Sequence, residues 1–180
     1  MKATLRSLVA VAALASLAPS ISHAADGSIT FTGKIGAQTC KINGNGTGGA
    51  NFLVTLPKVL TSSLPQGGTT AGRTPFYISL SNCTPAAGNV YTHFEPSATI
   101  NASSGNLLNK EGTASNVEVS LLNNPDMSII KLGMDAENSK PVALNNGAAT
   151  LSYFAQYVAM GGAATTGTVK TSALYSIVYQ

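Results

Sequence analysis

The sequence predicts an all-β domain, a sandwich or barrel of short strands. Three observations carry that expectation. Apolar residues recur at every second position in stretch after stretch, the mark of strands with one buried face. Asn-Gly dipeptides and Gly-rich runs separate these stretches at short intervals. No sustained 3.6-residue period appears beyond the first 24 residues.

Those first 24 residues stand apart. Lys2 and Arg6 make a basic start, residues 8–18 form an apolar run, and Pro19 breaks it. Ser22-His23-Ala24 offers small residues at the positions a signal peptidase reads. This is the layout of a secretory signal peptide, since a membrane anchor needs about 20 apolar residues. Cleavage after Ala24 takes 24 of the 180 residues and leaves 156. That length suits one domain burying about 70% of its unfolded surface. No later segment is long enough to span a bilayer, so an exported, soluble product without membrane insertion is expected.

The strands follow in order. In DGSITFTGKI (26–35), Ile29, Phe31 and Ile35 share a phase with Gly33, against Ser28, Thr30, Thr32 and Lys34. A half-buried strand so near a chain start is unusual, because order normally fades there. NFLVTLPKV (51–59) follows a Gly/Asn-rich loop, and TPFYISLSNC (74–83) alternates Phe76, Ile78 and Leu80 with Tyr77, Ser79 and Ser81. NVYTHFEPSATI (89–100), SNVEVSLLN (115–123), MSIIKLG (127–133) and ATLSYFAQYVA (149–159) continue the series. Asn43-Gly44, Asn45-Gly46 and Asn146-Gly147 read as tight turns. In the last stretch, GTVKTSALYSIVYQ (167–180), Val169, Ala173, Tyr175, Ile177 and Tyr179 share one phase that only Thr171 interrupts. On pattern alone, the first and last strands are expected to pair with each other inside one sandwich. No internal repeat or linker divides the chain after residue 24.

Composition narrows the function. Without Lys2 and Arg6, eight basic side chains face seven acidic ones. No basic cluster is present to bind nucleic acid. Two cysteines, Cys40 and Cys83, are expected to form a disulfide in an exported chain. Closing a loop of that length stabilises by about 4 kcal/mol on the chain-entropy model, and the spacing lacks the paired thiols of a zinc site.

The groups that enzymes use are scarce. His93 is the one histidine after residue 24, and it reads as an ordinary strand residue. A pair with Glu95 would need both on one face, and strand neighbours are expected to point to opposite faces. The acidic residues are scattered, with no paired-carboxylate or calcium-loop spacing. GNGTGG (44–49) matches a dinucleotide-binding spacing formally but precedes a strand, so it reads as a hairpin loop. Asn45, Asn82 and Asn101 begin glycosylation sequons of the kind an Asn/Thr-rich chain produces by chance. No catalytic residue, metal site or cofactor is expected, and a structural or binding role becomes the default.

Taken together, these segments resemble the major subunits of chaperone–usher fimbriae, the type 1 pilin family of Gram-negative bacteria. GSITFTGKI with the following Cys40, VTLPKV (54–59), TPFYISLSNC, GNLLNKEGTASNVEVSLLN (105–123), LSYFAQYVA and the ending GTVKTSALYSIVYQ occur in that family's order. The ending is the most specific, with Gly167 fourteenth from the end, alternating apolar residues and Tyr179 in the penultimate place.

The resemblance implies an incomplete immunoglobulin-like β-sandwich lacking its final strand and completed in trans by a donor strand. It implies three parts: a signal peptide (1–24), a donor-strand extension running into the first strand (25–36) and a pilin domain (37–180). Ile29, Phe31, Gly33 and Ile35 would be the donor positions. Gly167, Val169, Ala173, Tyr175, Ile177, Tyr179 and Gln180 would form the acceptor and chaperone-binding strand, with the Gln180 carboxylate as its anchor. Cys40 and Cys83 would tie the first two strands together. The implied partners are neighbouring subunits in a homopolymer, a periplasmic chaperone, an outer-membrane usher and a host receptor met through the fibre. The implied location is the cell surface, reached through the periplasm. Two rival expectations stand beside this one: a self-contained secreted sandwich binding carbohydrate or protein, and a minor or adaptor pilus subunit.

Overall fold

The structure, a computed structural model, describes residues 27–33, 39–134 and 139–180. The expected signal peptide and Ile35 lie outside these residues. The chain divides into two units, Met1–Ile35 and Gly36–Gln180. In the first, residues 27–33 carry no regular secondary structure, and Ile29 and Phe31 are 81% and 89% exposed.

The described residues of the second unit form nine strands: β1 (Thr39–Gly44), β2 (Thr70–Thr84), β3 (Asn89–Glu95), β4 (Leu107–Leu108), β5 (Val117–Asn123), β6 (Ile129–Ile130), β7 (Val142–Ala143), β8 (Ala149–Ala159) and β9 (Leu174–Tyr179). A 3-10 turn, Thr61–Ser63, lies between β1 and β2. Every strand pair is antiparallel. One sheet runs β1-β2-β8-β5-β4, with β6 also on β5, and the second runs β7-β3-β9. Among the described residues no helix is long and apolar enough to cross a membrane.

The two sheets face each other over one core. Phe76, Ile78 and Leu80 of β2, Leu151, Tyr153 and Ala155 of β8, and Val119 and Leu121 of β5 meet Val90 and Phe94 of β3. Alternation in β2 and β8 puts the larger apolar residues inward, as their period-2 pattern requires. A polar bridge crosses this core. The Tyr153 hydroxyl donates to Thr92 Oγ1 (2.8 Å) and receives Ser139 Oγ (2.7 Å), so all three buried groups are partnered. Burial raises the Tyr153 pKa, and its hydrogen bonds with Ser139 and Thr92 oppose that shift. Behind β5, the buried Glu118 carboxylate receives Asn101, Ser104 and Asn106, which is how both faces of that strand come to be covered.

Cys40 and Cys83 form a disulfide between the neighbouring strands β1 and β2, with Cα atoms 4.1 Å apart. The expected turns need one correction. Asn43-Gly44 ends strand β1, and the chain turns one dipeptide later, at Asn45-Gly46, because Gly44 N–H donates to Gly49 O and Asn45 N–H to Tyr77 O. Asn146-Gly147 does turn, between the bridged residues Asn145 and Ala148.

His93 and Glu95 also depart from expectation. They are two apart on β3 and so share a face, with Nε2 and Oε2 at 3.7 Å. Ser176 Oγ donates to Glu95 Oε1 at 2.6 Å, which makes the group a surface cross-strand contact. The expected pairing of the first and last strands is not found among the described residues. β9 pairs with β3, and 27–33 joins no ladder.

Candidate functional site

Residues 51–59 keep the alternation that predicted a strand but form none. Phe52, Val54 and Leu56 lie half-buried against the core, while Leu53 is 77% exposed on the opposite phase. Among the described residues no backbone hydrogen bond joins 51–59 to another segment. Gly44 lets this stretch lie close, since a Cβ there would overlap the Phe52 ring. That ring sits 6.2 Å from Phe76 and meets Tyr175 edge-on at 6.1 Å.

A second extended stretch, 167–173, runs into β9. Gly167 has φ 154°, and a Cβ on it would collide with the main chain of Thr113 and Ala114. From there the even-numbered residues turn their backbone groups to one side. Thr168 O accepts from Ala114 N–H (3.1 Å) and Asn109 Nδ2 (3.0 Å). Lys170 N–H donates to Asn109 Oδ1 (2.8 Å), and Ser172 O accepts from Thr99 Oγ1 (2.7 Å). Neighbouring residues in an extended chain point their N–H and C=O groups to opposite edges. The backbone groups of Val169, Thr171 and Ala173 therefore face the other edge, where no partner meets them among the described residues.

Between the two stretches lies a groove of about 700 Å³. Residues 50–56 form one wall, residues 169–176 the other, and Phe76, Ile78, Val119, Leu121 and Ala155 the apolar floor. At one end the Tyr175 hydroxyl donates to Ala50 O across the gap at 2.6 Å. Burial raises the pKa of Tyr157 and Tyr175 on the groove and of Tyr179 beyond it. The one charged side chain on the lining among the described residues, Lys170, pairs with Glu111 at 2.6 Å, and that contact raises its pKa. A neutral, apolar trough between two unpaired backbone edges is suited to an extended peptide with apolar residues on alternate positions. An open sheet edge of this kind is otherwise a liability.

The residues expected at the site divide into groups. Val169, Ala173 and Tyr175 line the groove. Ile177 and Tyr179 lie further along β9, half-buried against the core. Gly167 sits beyond the lining, under Thr113. Gln180 is exposed and pairs with Asn89 through both its N–H and its C=O. Gly33 has open space around its Cα. The sequence reading missed the facing wall. Phe52, Val54 and Leu56 carried the necessary signal in their alternation, but nothing local marks their backbone as unpaired.

Comparison with known proteins finds one family. The family described as "Fimbrial protein" matches residues 29–180. The chain is 43% identical to the major fimbrial subunit SMF-1 of Stenotrophomonas maltophilia, over 90% of this chain and 97% of that one. It is also 43% identical to the F17 fimbrial protein of Escherichia coli, covering 93% and 94%. Among solved structures it is similar in fold to the P pilus rod subunit PapA. That match has TM-score 0.59 and 21% identity, and covers 78% of this chain and 99% of PapA.

Proposed function

The chain belongs to the fimbrial protein family, as a structural subunit of a pilus with an immunoglobulin-like all-β fold, and from that premise we propose that its subunits join by donor-strand exchange. The segment containing Ile29, Phe31, Gly33 and Ile35 of one copy lies in the groove of another, beside the acceptor strand that holds Val169, Ala173, Tyr175, Ile177 and Tyr179 and is bounded by Gly167 and Gln180. Ile29, Phe31 and Ile35 fill the apolar floor. Gly33 takes the place where the wall leaves no room for a side chain. Three such side chains contribute about 1.5–3 kcal/mol each on burial, and a new backbone ladder adds to them.

Before assembly, a periplasmic chaperone lends a strand to the same groove, and an outer-membrane usher hosts the exchange. This is strand addition of the kind known for chaperone–pilin pairs. The product is a homopolymeric fimbria at the cell surface, reached through the periplasm and meeting host receptors through the fibre. The role is structural and non-enzymatic.

The observation that carries this reading is the groove itself, with one unpaired backbone edge on each wall. Deleting residues 25–32 tests it. The truncated subunit should still co-purify with its chaperone and should add no further subunit to a fibre. Normal fibre growth from the truncated protein would overturn the reading.

A further inference from the structure

Thr171 is the polar residue on the inward phase of the acceptor strand, and its hydroxyl is buried without a hydrogen-bond partner among the described residues. Leaving such a group unsatisfied is costly, so the occupant of the groove is under pressure to supply a partner. We propose that the Thr171 hydroxyl sets the register of the incoming strand by donating to its main-chain carbonyl at Gly33. The inference rests on the donor-strand reading above.

Both strands present inward residues at the same two-residue spacing, about 6.6–6.8 Å apart. On the wall these are Val169, Thr171, Ala173 and Tyr175, and on the donor Ile29, Phe31, Gly33 and Ile35. Set parallel in full overlap, Phe31 falls on the Thr171 hydroxyl and Gly33 on Ala173, a buried polar group against a ring and a void beside it. Set antiparallel, Ile29 faces Tyr175, Phe31 faces Ala173, Gly33 faces Thr171 and Ile35 faces Val169. The largest donor side chain then meets the smallest wall residue, and the position without a side chain meets the hydroxyl.

The inward phase of the donor carries no polar side chain, so the partner of the hydroxyl must come from its main chain. The backbone of Thr171 faces the open edge, which places the Gly33 carbonyl on the Thr171 N–H. A carbonyl oxygen has a second lone pair, and the missing Cβ at Gly33 leaves the hydroxyl free to reach it. A slip by two residues would put Phe31 or Ile35 there and strand the hydroxyl again.

The test uses the mature chain loaded with a fluorescent synthetic peptide of residues 26–37, with Thr171→Val and Thr171→Ser as variants and Gly33→Ala as a second peptide. Thr171→Val should release the unchanged peptide about tenfold faster than the unaltered subunit does, and Thr171→Ser should stay within about twofold of it. Gly33→Ala should speed release from the unaltered subunit, with a smaller penalty in Thr171→Val, because the two changes remove one contact. Equal release from the unaltered and Thr171→Val subunits would overturn the register role and leave donor-strand joining intact. Failure of the unaltered subunit to take up the peptide would overturn both. Where Thr171→Val does not fold, a peptide 13C-labelled at the carbonyls of Phe31 and Gly33 decides the matter on the unaltered subunit. Each carbonyl is referenced to its own shift in the free peptide: a larger downfield change on binding at Gly33 than at Phe31 supports the bond, and equal changes at the two overturn it.

Discussion

Strand β8 and the stretch 51–59 carry the same alternating code and end differently. β8 pairs along its length with β2 on one edge and β5 on the other. Residues 51–59 lay Phe52, Val54 and Leu56 on the same core but pair with nothing among the described residues. The period-2 pattern records which face of a segment is buried. It does not record whether the segment has a neighbour in the sheet, because that depends on residues far away in sequence. In the proposed assembly it depends on a second molecule.

The contrast can be broken by comparing truncations on the two segments. Leu151→Ala in β8, at a residue 1% exposed, should cost about 2–5 kcal/mol in urea unfolding. Val54→Ala, on the half-open groove wall, should cost under about 1.5 kcal/mol in the unloaded subunit and more once the groove is filled. Equal costs in the unloaded subunit would mean that the wall is already fully packed.

The disulfide ties the edge strand β1 covalently to β2, whereas no bond of that kind holds the walls of the groove together. Replacing Cys40 and Cys83 together by alanine should cost about 2–4 kcal/mol, read by the same unfolding curves. A loss confined to the groove, with the β1–β2 ladder unaffected, would contradict that placement. Tyr153→Phe should cost about 1–3 kcal/mol by leaving buried Thr92 and Ser139 short of a partner.

The smallest effect is one of pH. Burial raises the folded-state pKa of Tyr153, Tyr157, Tyr175 and Tyr179 above the usual 10.0. The unfolded chain therefore loses these protons first as pH rises. Stability should be intact below pH 10 and fall progressively above it. Tyr175→Phe should flatten part of that slope, and an unchanged slope would show that the groove tyrosine contributes nothing to it.

The two sheets were legible to the extent that their strands alternate strongly. β2 and β8 could be read because Phe76, Ile78 and Leu80, and Leu151 and Tyr153, sit on a clean phase. β1 could not, because TCKING mixes polar and apolar residues and owes its place to the Cys40–Cys83 bond and a ladder formed far along the chain. One wall of the groove was legible in Val169, Ala173 and Tyr175. The other was read as an ordinary strand, since the absence of a backbone partner leaves no local trace. The His93–Glu95 contact was misjudged by treating residues two apart as opposed, when period 2 puts them on one face. Thr171 stood out in the sequence as an interruption, and the fold turns it into an unsatisfied group at the edge of the groove.

In the proposed assembly a segment of another copy of this chain fills the groove as a missing strand. Amide hydrogen exchange on the mature subunit, alone and with a saturating peptide of residues 26–37, tests it most directly. The amides of Val169, Thr171 and Ala173 should exchange freely in the subunit alone and become protected with the peptide, while those of β8 stay protected throughout. Protection of the three groove amides without peptide, or exchange unchanged by bound peptide, would contradict the account.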